Sequence, residues 1–138
     1  MTDVQAMVAE FHQAFGLPNR LGQGKPDAMH ERTELRKDLI DEEFNEFLDS
    51  HRRVYTDYNE LVDVDTVAYA DALADLIYVC FGAGIEAGID LNMVLRDVHR
   101  SNMSKLDADG KPIYREDGKV LKGPNYSAPN IKEVLGLD

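Results

Sequence analysis

Residues 69–82 read YADALADLIYVCFG, apolar almost throughout and yet carrying Asp71 and Asp75. Between Asp65 and Glu86 no other charged residue occurs, so the pattern predicts one long apolar helix from about Asp65 to Ala87, ended by Gly88. A helix that is apolar nearly all round belongs at the centre of a fold. The four-residue spacing puts both aspartates on one face, in the same arc as Val67, Tyr78 and Val79. Neither carboxylate then escapes to solvent, and a buried pair of like charges is unfavourable unless cations or hydrogen-bond donors neutralise it. The segment is also about long enough to span a bilayer, but two mid-helix aspartates would cost roughly 2.5 to 3.5 kcal/mol each at the bilayer centre, which argues against that reading. The plain structural alternative is a salt bridge to an arginine such as Arg36 or Arg96.

The preceding helix, expected over roughly 28–53, bears on the choice. In ELRKDLIDEEFNEF, residues 34–47, Leu35, Leu39, Glu42 and Glu46 fall at i, i+4, i+7 and i+11, so two glutamates continue the stripe that the leucines begin, with Glu43 flanking them. A solvated acidic face is common on surface helices, but it should lie opposite the leucines, whereas these glutamates share their side. Two helices thus aim five candidate ligands inward: Glu42, Glu43, Glu46, Asp71 and Asp75. With no Cys or His at ligand spacing, an all-carboxylate set suits hard cations, Mg²⁺ or Mn²⁺. A ferritin-like di-iron site fails because no histidine follows a glutamate at the Glu-x-x-His interval. DADGKPIYREDG, residues 107–118, begins like a calcium loop but has Pro112 at its sixth position and Gly118 at its twelfth, where Gly and Glu are needed.

The remaining chain fits around these helices. Val4, Met7, Val8, Phe11 and Phe15 predict a first helix over residues 3–15, and GLPNRLGQGKPD (16–27) a loop. TDYNELVDVD (56–65) reads mainly as a connector. Asp90 looks like the N-cap of a fourth helix running to about Met103, with Leu91, Val94, Leu95 and Val98 as its buried stripe. Within 105–126, PIYR and KVLK suggest a small hairpin or ordered loop, and APNIKEVLG a closing helical turn. The fold class is therefore all-α, four helices with a small C-terminal hairpin or loop, in a single domain over residues 1–138. A net charge of −11 disfavours nucleic-acid and anionic-membrane partners, and leaves a phosphate ligand possible only where metal ions or a basic cluster cancel the repulsion. The single Cys80 and the lack of an apolar signal core in MTDVQAMVAEFHQAFG point to the cytoplasm.

Glu43-x-x-Glu46, DALADLIYV on the next helix, VHRSNMSK (98–105), the opening EFHQAFG and the tail DGKVLKGPNY together resemble the all-α nucleoside triphosphate pyrophosphohydrolases. These form the MazG-like and phosphoribosyl-ATP pyrophosphohydrolase-like superfamily, and the chain looks closest to its short single-domain bacterial and phage members. The resemblance implies Mg²⁺-dependent hydrolysis of the α–β phosphoanhydride of a nucleotide, giving a monophosphate and pyrophosphate. Carried over, Glu43 and Glu46 are metal ligands, and Asp75 matches the aspartate of an ExxD motif. Where that motif has its glutamate this chain has Ala72, and Asp71, displaced by one residue, is expected to take the missing ligand's place.

Clustered cations would neutralise the triphosphate and acidify a water whose proton a free carboxylate takes; Glu42 is the candidate base, a role exchangeable with Glu43. The resemblance further places Asn102 and Lys105 at the nucleotide, with His99 a weaker candidate. Lys105, Lys111, Arg115, Lys119 and Lys122 gather five of the 15 basic residues in an otherwise acidic chain. The segment is read as a lid over the phosphates, with Asn125 and Tyr126 near the ligand, against the alternative of a solvated basic loop. Phe11, His12 and Phe15 offer stacking for a base without specifying which. The exposed apolar surface expected of the first and third helices implies a homodimer or homotetramer. Two other functions stay open: phosphoribosyl-ATP hydrolysis, and a non-catalytic helical oligomerisation or regulatory module, which Ala72 encourages.

Overall fold

The computed structural model describes residues 2–52 and 64–138. The connector expected at 56–65 lies, up to residue 63, outside the described residues. The chain falls into two compact units, Met1–Ile89 and Asp90–Asp138.

The first unit holds α1 (Val4–Ala14), α2 (Thr33–Arg52) and α3 (Thr66–Ala87), with α3 packed on both others. Asp3 caps α1, accepting a hydrogen bond from the Ala6 amide at 3.1 Å, and Asp65 caps α3 through the Val67 and Ala68 amides. Gly88, in the left-handed conformation at φ 74°, ends α3 where the sequence places its stop. The 16–27 loop adds hydrogen bonds to carbonyls at the end of α3: the Arg20 amide donates to Ile85 O at 3.0 Å and the Asp27 amide to Ala87 O at 2.8 Å. Aromatic contacts lock the helices laterally. Phe11 meets Tyr78 edge-to-face at 5.7 Å between centroids, joining α1 to α3, and Phe47 meets Tyr69 at 5.4 Å, joining α2 to α3.

Three expectations for this unit need correction. α2 begins at Thr33 rather than near residue 28, because local side chains hold the preceding residues in turns: the Met29 amide donates to Asp27 Oδ1, and the His30 amide to Thr33 Oγ. The inward stripe of α2 runs through Arg36, Ile40, Glu43, Phe47 and Ser50, one residue on from the expected register, so Glu43 faces inward while Glu42 and Glu46 are exposed. α3 is not enclosed along its length. Its C-terminal end is, with Ile85 and Glu86 both 0% exposed, but Val67 is 79% and Ile77 49% exposed. Asp71 therefore reaches solvent and Asp75 is only half-buried, contrary to the buried pair expected. By length and composition alone α3 would suffice to cross a membrane.

The second unit holds α4 (Leu91–Met103), capped by Asp90 through the Met93 amide, and the short α5 (Ile131–Val134), which packs on it. Between them the expected hairpin is reduced to one antiparallel bridge, Tyr114 to Val120, around a turn in which the Gly118 amide donates to Arg115 O. The described residues contain no strand, and the all-α expectation holds with four long helices.

Candidate functional site

The inward register of α2 sets Glu43 against α3. Carboxylate oxygens of Glu43, Glu46 and Asp75 all lie within 4.8 Å of one another, a separation at which one cation can touch all three. Glu43 is half-buried, and its Oε2 is buried without a hydrogen-bond partner. A carboxylate oxygen in that state is costly unless a proton or a cation joins it. Burial, then repulsion from Glu46 and a hydrogen bond to it, then repulsion from Asp75 and Glu42, push the Glu43 carboxyl up to about 7. Asp75 is also raised, first by burial and then by Asp71 and Glu46. These shifts describe a cluster lacking positive charge. An all-oxygen donor set with one unsatisfied buried oxygen fits a hard divalent cation.

Asp71 lies outside this trio and lines an adjoining polar cavity of about 380 Å³ with Glu46, Asp49 and Ser50. Ala72, the departure from the family motif, is buried at its wall. No salt bridge holds Asp71 or Asp75 among the described residues, so the plain structural reading of the pair fails. The reason for Arg36 is visible. Its Nη1 donates to Glu86 Oε2 at 3.0 Å and its Nη2 to the Val79 carbonyl at 2.9 Å, and Arg32 donates to Glu86 as well. Sequence reasoning missed this buried Arg32–Glu86–Arg36 group. Its signal was a glutamate in the last turn of an apolar helix, where the helix dipole disfavours a negative charge that has no partner.

On the other side of Glu43 and Asp75, a largely apolar cleft of about 460 Å³ is walled by Phe11, Leu35, Leu39 and Tyr78. His12 also borders this cleft; it is 2% exposed and its Nδ1 must donate to the Pro18 carbonyl at 2.8 Å, since that oxygen can only accept. Phe15 is exposed and lies tilted against Phe11 at 4.4 Å between centroids.

The other expected ligand contacts belong to the second unit. Asn102 and His99 are exposed on α4, and Lys105 is half-buried just beyond it. Arg115 is paired with Asp117 across the hairpin turn, its Nε donating at 2.9 Å. Lys119 and Asn125 are exposed, and Lys122 Nζ sits 4.6 Å from the centre of the Tyr126 ring.

Residues 8–102 match the model of the phosphoribosyl-ATP pyrophosphohydrolase family. An uncharacterized protein of Acanthamoeba polyphaga mimivirus is 32% identical over 138 residues, covering 99% of this chain and 47% of its own. The chain thus spans about half the length of that curated relative. A crystal structure of a candidate NTP pyrophosphohydrolase from Exiguobacterium sp. 255-15 is 25% identical and covers 95% of this chain and 91% of its own, with a TM-score of 0.44.

Proposed function

The chain belongs to the phosphoribosyl-ATP pyrophosphohydrolase family, and from that premise we propose that it is a divalent-cation-dependent (deoxy)nucleoside triphosphate pyrophosphohydrolase. The observation that carries the reading is the convergence of Glu43, Glu46 and Asp75 around a buried, unpartnered oxygen. Those three, with Asp71 beside them, would hold Mg²⁺, for which Mn²⁺ can substitute. The bound cation supplies charge neutralisation for the triphosphate and Lewis acidity toward the reacting groups.

Hydrolysis adds water across the bridge between the α and β phosphorus atoms. The water oxygen bonds to the α-phosphorus, the bridging oxygen leaves with pyrophosphate, and the water's proton passes to a carboxylate. Glu42, exposed next to the inward Glu43, is the proposed base, with Glu43 able to exchange into the role. Asn102 is assigned to sugar or base by its directional hydrogen bonds, and Lys105, Arg115, Lys119 and Lys122 to phosphates by charge. Asn125 and Tyr126 complete the proposed contacts. The apolar cleft beside Glu43 offers a wall for a base.

The reading also takes the protein to be cytoplasmic and a homo-oligomer, supported by a lone half-buried cysteine and by the exposed apolar residues of α3. Its net charge of −11 supports the absence of nucleic-acid and membrane partners. Pyrophosphate release from a panel of common NTPs and dNTPs, with Mg²⁺ and with EDTA, tests the proposal. Release from at least one nucleotide that EDTA abolishes is expected; none from any would overturn it. Phosphoribosyl-ATP belongs in the panel, because the family's description makes it the second reading, and turnover of it alone would select that activity instead.

A further inference from the structure

We propose that Asp97 and Arg100 of α4 are positioning residues that clamp the Gly123–Tyr126 turn into the shape that receives a polyphosphate; the phosphate part rests on the function proposed above. Asp97, Arg100 and Ser104 fall at i, i+3 and i+7, one face of α4 and its cap, and each grips the segment 127–130. Arg100 Nη1 donates to Ser127 Oγ at 3.1 Å and Nη2 to the Ala128 carbonyl at 3.0 Å, while its Nε donates to Asp97 Oδ1 at 2.8 Å. The other Asp97 oxygen accepts from the Asn130 amide at 2.6 Å, and Ser104 Oγ accepts from the Ser127 amide at 2.9 Å.

On the near side the turn is fixed as firmly. The Gly123 amide donates to the Lys105 carbonyl at 2.9 Å, and a Cβ at Gly123 would stand 2.5 Å from Leu106 O and 2.7 Å from Lys105 O, so only glycine lets the two backbones meet. From Gly123 to the far anchor the chain turns on itself, the Tyr126 amide donating to Gly123 O at 3.2 Å. The Lys105 backbone and the run from Lys122 to Tyr126 are thereby held together, with Lys122 lying over the Tyr126 ring. Arg100 spends its donors on Asp97, the Ser127 hydroxyl and the Ala128 carbonyl, so its part is to hold the turn rather than to touch the anion. The lid expected over 105–126 is accordingly confined to the loop inside the Lys105–Gly123 neck.

Two measurements on the full chain test the clamp. Inorganic pyrophosphate is titrated into the protein while the Asn125 and Tyr126 amide resonances are followed. Arg100→Ala should bind it about fivefold more weakly or worse, the scale of one lost charge-assisted hydrogen-bond set, and Arg100→Lys should recover part of that loss. In turnover, Arg100→Ala should raise KM by a similar factor with kcat within about twofold, because the carboxylate cluster is untouched. Pyrophosphate binding at those amides without any NTP turnover in the parent protein would sink the proposed function and leave the clamp standing. Unchanged pyrophosphate affinity and KM in Arg100→Ala, with only a lowered melting temperature, would reduce the pair to a structural brace and overturn the proposal.

Discussion

Glu43 carries the clearest electrostatic prediction. An ordinary glutamate titrates near 4.5, and burial beside Glu46 and Asp75 holds this one up to about 7. In between, the folded chain keeps a proton that the unfolded chain has released. The stability tied to protonated Glu43 is therefore complete below 4.5 and lost as pH rises through about 7. The melting temperature of the EDTA-treated protein should fall over that interval, Glu43→Gln should flatten the fall, and Mg²⁺ at neutral pH should reverse it; a rise over the same interval would mean the cluster is not self-repelling. Asp71 and Asp75 divide along similar lines. Asp75→Asn removes a member of the oxygen trio and should abolish Mg²⁺-dependent turnover while helicity survives, because relief of repulsion offsets the lost ligand. Asp71→Asn should cost as much only if the exposed carboxylate joins the cation from the neighbouring cavity. Mg²⁺ titrations of pyrophosphate release beside melting curves separate the two, and full activity in Asp71→Asn would leave Glu42, Glu43, Glu46 and Asp75 as the working carboxylates. The family resemblance picked out the ExxE pair and Asp75; from spacing alone only the set of five carboxylates, Glu42, Glu43, Glu46, Asp71 and Asp75, was legible. That Glu43 rather than Glu42 turns inward was not, since a register shift of one residue leaves the pattern of carboxylates unchanged.

What sets that register is the pairing of α2 with α3. Arg36 enters beneath Gly82, where a Cβ would lie 2.1 Å from its Nη2, and reaches Glu86, which is 0% exposed. A guanidinium this deep has its pKa lowered by burial against the pull of Glu86, so the pair is tolerated only because its members neutralise each other. Gly82→Ala should displace Arg36, and Glu86→Gln should strand it; each is expected to cost about 3 kcal/mol or more in denaturant unfolding, the usual scale for breaking a buried pair from one side. A loss within about 0.5 kcal/mol, as for an ordinary surface change, would show that the pair does not organise the helices. The cap at Asp90 and the stop at Gly88 could be read from the sequence, because each acts on neighbours within a turn or two. The Arg32–Glu86–Arg36 group and the Asp97–Arg100 clamp could not. Their partners lie 50 or more residues away in the first case and, in the second, are one serine hydroxyl and backbone atoms about 30 residues away, where no side-chain pattern marks them.

Among the described residues several large apolar side chains are left uncovered. Val67, Leu73 and Ile77 on α3 and Phe15 at the end of α1 remain exposed, which is why the sequence reading of α3 as fully buried failed within one chain and why self-association is proposed. Sedimentation at micromolar concentration should show a dimer or tetramer, and Ile77→Lys should shift it toward monomer; a parent protein that sediments as a monomer would contradict the assembly. The function rests on which bond is cut. Phosphorus NMR of the products from whichever nucleotide the panel identifies, with Mg²⁺ and with Asp75→Asn as the comparison, reads this directly. A nucleoside monophosphate and intact pyrophosphate are expected in equal amounts from the parent protein, and neither from Asp75→Asn. A nucleoside diphosphate with orthophosphate, or equal turnover by the Asp75→Asn variant, would contradict it.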